Sequence, residues 1–137
     1  MNLPLEAGAV DEDYHLVFAE VALPILRQFK PDLVLVSAGF DAHERDPLAN
    51  MRVTTAAFGA MTMELRAVAA ECCGERMMLV TEGGYDLRAL AASLETVVQT
   101  LAAPLEPARW PASGMASNRG RVSADAAKRA LKPFWRL

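Results

Sequence analysis

Two short, uninterrupted apolar runs, Leu33-Val-Leu-Val36 and Met77-Met-Leu-Val80, constrain this chain more than any other feature. Neither alternates polar with apolar residues, so neither suits a strand with one wet face. Continuous runs of this kind suit parallel strands covered on both faces. Each opens into small residues, Ala38-Gly39 in one case and Gly83-Gly84 in the other, where the backbone can turn sharply. Helical periods surround them. Tyr14, Phe18, Val21, Ile25 and Phe29 recur at three- and four-residue steps, which predicts a helix over Asp11 to Phe29 with acidic residues at its start. Pro24 is expected to kink or split it, and Lys30-Pro31 to close it.

A second helix is predicted over Thr54 to Cys73, with Phe58, Met61, Leu65, Val68 and Cys72 as its stripe, Thr54 or Thr55 as cap and Gly74 as stop. A third starts at Asp86, with Leu87, Leu90, Leu94, Val97 and Leu101 on its apolar side, and ends at Pro104. The order helix–strand–helix–strand–helix predicts an α/β chain with a parallel sheet sandwiched by helices and right-handed crossovers. Two strands are few for such a sheet, so residues 1–103 read as part of a larger α/β domain. The Pro, Ser, Gly and Arg texture of 104–122 reads as a linker or loop. Ser123 is expected to cap a short last helix, making 123–137 a C-terminal helix with the aromatic tail Phe134-Trp-Arg-Leu137.

Composition excludes several classes. Lys and Arg number 14 against 17 Asp and Glu, a net charge of −3, so the chain is not built as a nucleic-acid binder. The six basic residues between Arg119 and Arg136 read as a solvated helix face. No apolar run reaches the roughly 18 residues that span a bilayer, and Met1 to Tyr14 lacks the pattern of a signal peptide. Cys72 and Cys73 are adjacent and in no zinc spacing, which reads as one buried and one half-exposed thiol in a reducing cytoplasm.

In open parallel sheets ligands bind beyond the carboxyl ends of the strands. Ser37-Ala-Gly-Phe-Asp-Ala-His43 and Glu82-Gly-Gly-Tyr85 both emerge there. Asp41 is either a hard oxygen ligand for a metal or the cap of a following turn. Tyr85 is either a donor to an oxyanion, a phenol being protonated at neutral pH, or a surface residue anchoring its loop. His43 lies two residues beyond Asp41, where a shared metal is conceivable, although a turn intervenes. His15 reads as an exposed helix residue, and Asp46 before Pro47 as turn chemistry.

These segments, with Asn2-Leu-Pro-Leu5, Asp11-Glu-Asp-Tyr14, Asp46-Pro-Leu48 and Glu82-Gly-Gly-Tyr-Asp-Leu87, resemble the zinc-dependent histone deacetylase superfamily over residues 1–102. The resemblance extends to its bacterial acetoin-utilisation and acetylpolyamine-amidohydrolase-like members. It implies the C-terminal portion of the arginase/deacetylase fold. By position in the family's motifs, Asp41 is a zinc ligand, Tyr85 stabilises the tetrahedral intermediate, Leu48 lines the acyl-lysine tunnel, and Gly83 and Gly84 shape its wall. The family's Asp-x-His ligand pair and its His-His general base have no counterpart here, since the two histidines stand outside those motifs. The resemblance therefore implies a partial deacetylase acting on acetyl-lysine or an acetylated amine, inactive as an isolated chain. Its expected partner is the rest of such a domain or a second copy, and no nucleic acid or membrane. The competing reading is a catalytically dead remnant serving as a structural or interaction module. A fainter likeness to phosphoacceptor receiver domains lacks their acidic pair.

Overall fold

The computed structural model describes residues 1–112, 114 and 118–137. The first predicted helix is present but broken twice. Helix α1 (Asp11–Val17) runs into a π-helical turn (Phe18–Ala22), which passes into α2 (Leu23–Phe29). Pro24 sits in the first turn of α2, directly after that π-helical turn. The widened turn ahead of it absorbs the irregularity. Lys30 closes α2 in the left-handed region at φ 54°, its N–H donating to the Leu26 carbonyl.

Strands β1 (Val34–Ala38) and β2 (Met77–Thr81) pair in parallel, Val34 opposite Met77 and Ala38 opposite Thr81. Helix α3 (Thr55–Cys73) forms the crossover between them and ends at Gly74, φ 59°. On the α3 side, Val34 packs with Ala69 and Cys73, flanked by Val36 and Met77. The expected cover on both faces is met on this side only. Leu35, Met78 and Val80 on the other side are 65%, 57% and 49% exposed, a bare apolar face that the described residues leave open. One thiol is buried and one half-buried, as expected, but the buried one is Cys73 and not the Cys72 of the predicted stripe, because α3 turns Ala69 and Cys73 toward Val34.

Helix α4 (Leu87–Ala102) starts where expected, its N-cap Asp86 accepting from the Ala89 N–H at 2.8 Å. Its buried face is a correction in part: Val97 is buried and Leu90 packs on the same core as expected, but the other three leucines are not inside. Ala89, Ser93 and Val97 are inside, whereas Leu87 is 78% exposed and Leu94 and Leu101 also face out. The reason is a close approach to α3. A Cβ on Gly59 would lie 2.9 Å from Thr96 Cγ2, so small residues set the contact and rotate the leucines away. Arg66 finishes the helix, its guanidinium donating to the Thr100 and Ala103 carbonyls at 2.7 and 2.9 Å.

The last helix, α5 (Arg119–Leu131), starts four residues before the predicted cap. Ser123 is inside it and donates to the Pro4 carbonyl instead. The Gly120 N–H donates to Asp13 at 2.6 Å, which ties α5 to the start of α1. Ala124 and Ala127 then pack on Val17, Val21 and Ile25. Part of the basic face is paired, with Arg121 and Lys128 both reaching Glu20, and their hydrogen bonds hold its carboxyl at about 2, well below the usual range, while Arg129, Lys132 and Arg136 are exposed as expected. Ahead of α5, Trp110 stacks on His15 at 4.8 Å and meets Phe18 edge-on, so this part of the expected linker is docked. The rest of that linker includes 113 and 115–117, which lie outside the described residues.

Candidate active-site rim

Beyond the carboxyl ends of β1 and β2 the two exit segments are stitched together. The Glu82 N–H donates to the Ala38 carbonyl at 3.0 Å and the Phe40 N–H to the Gly83 carbonyl at 2.8 Å. This brings Asp41 against the second segment. A Cβ on Gly83 would lie 2.9 Å from one Asp41 carboxylate oxygen and 3.2 Å from the other, and a Cβ on Gly39 would also sit 2.9 Å from that carboxylate. Both glycines leave the room the carboxylate occupies. Gly84 has φ +138°, a conformation open to glycine, and a Cβ there would lie 3.0 Å from Leu90 and 3.1 Å from Phe40. Tyr85 follows and is 59% exposed. The structure thus brings Asp41, Gly83, Gly84 and Tyr85 to one rim.

Leu48 reaches the same rim through a residue that the sequence presents as ordinary turn chemistry. Asp46 is buried, and one of its carboxylate oxygens accepts the Leu48 N–H at 2.9 Å. The other accepts the Tyr85 N–H at 2.7 Å. Burial alone would raise this carboxyl. The backbone N–H groups of Tyr85, Leu48, Asp86 and Ala49 outweigh it and hold the acid below its ordinary range. No local pattern reveals this, because Tyr85 lies 39 positions from Asp46.

Tyr14, read in the sequence as part of a helix stripe and of the Asp11–Tyr14 motif but not as a site residue, also reaches the rim. Its hydroxyl is pushed above the usual phenol range by burial and then by the Asp41 charge. Tyr14, Gly39, Phe40, Phe58, Met61 and Val97 line a cavity of about 200 Å³ beside the rim. Asp11 is fully buried and accepts the Thr54 N–H at 2.8 Å and the Thr54 hydroxyl at 2.7 Å. Thr54 therefore stands at the N-cap of α3 while its hydroxyl serves the N-terminal segment. Burial dominates at Asp11 and raises its carboxyl.

His43 takes no part in a metal site. It is buried and stacked on Phe58. Its Nδ1 accepts the Arg45 N–H at 3.1 Å, which leaves the proton on Nε2, 3.0 Å from the Thr55 hydroxyl. Both ring nitrogens are engaged. Among the described residues no three His, Cys, Asp or Glu side chains converge as a metal site. A catalytic zinc is held by three protein ligands with one open position. The residues present do not fit a zinc ion by themselves, and Asp41 is the one rim carboxylate with its oxygens turned to the glycine notch.

A parallel α/β unit with a carboxylate and a phenol-bearing loop at the carboxyl ends of neighbouring strands is the class that fold and rim define. The histone deacetylase domain model matches residues 1–101. Histone deacetylase 14, chloroplastic, of Arabidopsis thaliana is 45% identical over 94 residues, covering 69% of this chain and 22% of that protein. The polyamine deacetylase HDAC10 of Homo sapiens is 39% identical over an alignment of 139 positions, covering 99% of this chain and 20% of that protein. Among solved structures, the HD domain of HDA15 superposes with a TM-score of 0.85 at 36% identity, covering 98% of this chain and 36% of that one. The chain belongs to the histone deacetylase family, and its fold is that of the C-terminal part of a deacetylase domain. It spans between about a tenth and a third of the length of the curated relatives it matches.

Proposed function

We propose that this chain carries one side of a deacetylase active site: Asp41 as one zinc ligand, Tyr85 as the oxyanion donor, and Leu48, Gly83 and Gly84 as part of the acyl tunnel. The reaction is hydrolysis of an acetylated lysine or amine, completed by groups outside this chain. The observation that carries the reading is the joining of the two exit segments, with the Asp41 carboxylate seated on Gly83 two residues before Tyr85. Relatives named as histone and polyamine deacetylases support the substrate class. Zinc is proposed as cofactor of the assembled domain only, since this chain offers it one carboxylate. What the chain's own groups do is narrower. The exposed phenol donates a hydrogen bond where negative charge develops on the acetyl oxygen, and the rim glycines shape the wall by letting Asp41, Phe40 and Leu90 come close to the backbone. Residues 1–103 act as the deacetylase unit and α5 with its tail as an attached clamp.

The second reading is an inactive interaction module, and the bare face of Leu35, Met78 and Val80 favours it. The compartment is proposed as cytoplasmic. Among the described residues no helix is long and apolar enough to cross a membrane, and relatives named as chloroplastic show that the family's location varies.

The test is turnover of an acetyl-lysine peptide by the pure chain with added Zn²⁺, and by the chain co-expressed with the preceding part of a related deacetylase domain. We expect no turnover above buffer from the chain alone, with zinc content and activity appearing in the complex. In that complex Tyr85→Phe should lower kcat by about 10²–10³. Zinc-dependent turnover by the pure chain would overturn the partial-site reading. A well-folded complex without zinc or activity would favour the interaction module.

A further inference from the structure

We propose that Asp46 is a positioning residue that locks the Leu48 turn and the Tyr85 loop into one unit, so that tunnel wall and oxyanion donor are set by a single buried carboxylate. The inference rests on the roles given above to Leu48 and Tyr85, but its geometry does not. Asp46 is 8% exposed. Its two oxygens divide between the loops, one taking the Leu48 N–H at 2.9 Å and the other the Tyr85 N–H at 2.7 Å. Its own N–H donates to the His43 carbonyl at 2.9 Å, which anchors it to the β1 exit segment. His43 is itself fixed by Arg45, Thr55 and Phe58. On the far side, Asp86 caps α4 and pairs with Arg45 at 3.5 Å.

Each loop has its own tethers, the Glu82–Ala38 and Phe40–Gly83 backbone bonds on one side and the Asn50 bonds with Gly8 and Leu48 on the other, but the Asp46 carboxylate joins one to the other. Leu48 and Tyr85 are 60% and 59% exposed, so their own side chains add little packing. A neutral side chain with one acceptor cannot replace the carboxylate. An amide offers one oxygen, and its NH₂ would face the other loop's N–H donor to donor. Losing the charge-assisted bonds at a buried position leaves backbone donors without partners.

The experiment uses the whole 137-residue chain and compares ¹H–¹⁵N spectra and amide exchange for wild type, Asp46→Ala and Asp46→Asn. In wild type the Leu48 and Tyr85 amide protons should resonate downfield and exchange slowly. In Asp46→Ala both should lose that shift and exchange about tenfold faster or more, while Ala69 and Val97 amides in α3 and α4 stay protected. Asp46→Asn should free one loop and keep the other. Unchanged exchange at both amides in either variant would overturn the proposal, and so would fast exchange of both in wild type. Should Asp46→Ala fail to fold, Asp46→Asn decides. In the co-expressed complex, Asp46→Asn should lower kcat and raise KM together, whereas Tyr85→Phe acts on kcat alone. If Tyr85→Phe is without effect there, the oxyanion role fails while the amide data still judge the coupling.

Discussion

The rim beyond β1 and β2 and the sheet face opposite α3 are built from the same two strands, yet they differ in completeness. At the rim every buried polar group described above has a partner within the chain: Asp46 holds two loops, Asp11 holds Thr54, and His43 is engaged at both nitrogens. On the open face Leu35, Met78 and Val80 touch little and lie toward solvent. The helix stripe of Leu87, Leu94, Val98 and Leu101 is also exposed. Completeness at the rim means that the geometry of Asp41 and Tyr85 is set locally. The bare face means that its apolar residues contribute little to the stability of this chain alone.

The strongest way to break this contrast is a pair of substitutions. Phe40, 2% exposed beneath the rim, should cost about 3–5 kcal/mol as Phe40→Ala. Leu35→Ala or Met78→Ala should change stability by no more than about 0.5 kcal/mol. Urea denaturation checks both. A loss above about 2 kcal/mol at Leu35 would mean that the face is covered in solution.

A second probe concerns α5, which holds the π-helical turn by partly exposed ion pairs to Glu20 in addition to the apolar packing on Val21. Glu20 is held at about 2 against an ordinary value of 4.5, chiefly by hydrogen bonds from Arg121 and Lys128. A depressed carboxyl contributes stability above its ordinary value and loses it as pH falls through the folded one. The melting temperature should therefore fall between pH 4.5 and 2, with a slope that Glu20→Gln flattens. An unaltered slope would remove the ion pairs from any account of α5 docking. A small effect of opposite sign is expected at Ser93, whose hydroxyl is buried without a hydrogen-bond partner. Ser93→Ala should raise stability by about 1 kcal/mol, visible as a higher melting temperature. A decrease would point to a bound water that the serine holds.

The strands, their parallel order, the helix ends at Lys30 and Gly74 and the meeting of Asp41 with the Gly83-Tyr85 segment are legible in the sequence, because local period and turn residues encode them. Three features are not. The face of α4 depends on how closely α3 approaches, and Gly59 and Thr96 settle that without any mark in the leucine spacing. The start of α5 depends on a bond from Gly120 to Asp13, far away in sequence. Asp46 before Pro47 has the local appearance of a turn acid, and its more informative partner is Tyr85. Long-range polar contacts have no periodicity, so only the folded chain reveals them.

The parallel register carries a consequence for how the molecule assembles. Val34 meets a partner, Met77, that lies 43 positions further along the chain, so the strands cannot zip from a hairpin and must wait for the intervening chain to shorten. A parallel pair separated by so long a loop forms late, because closure entropy is spent before its ladder bonds appear. Helices α3 and α4, which are consecutive along the chain apart from β2 and pack directly on one another, are expected to acquire amide protection first in pulse-labelled refolding. The rim, which needs both strand ends in place, would be the last part of the chain to become native.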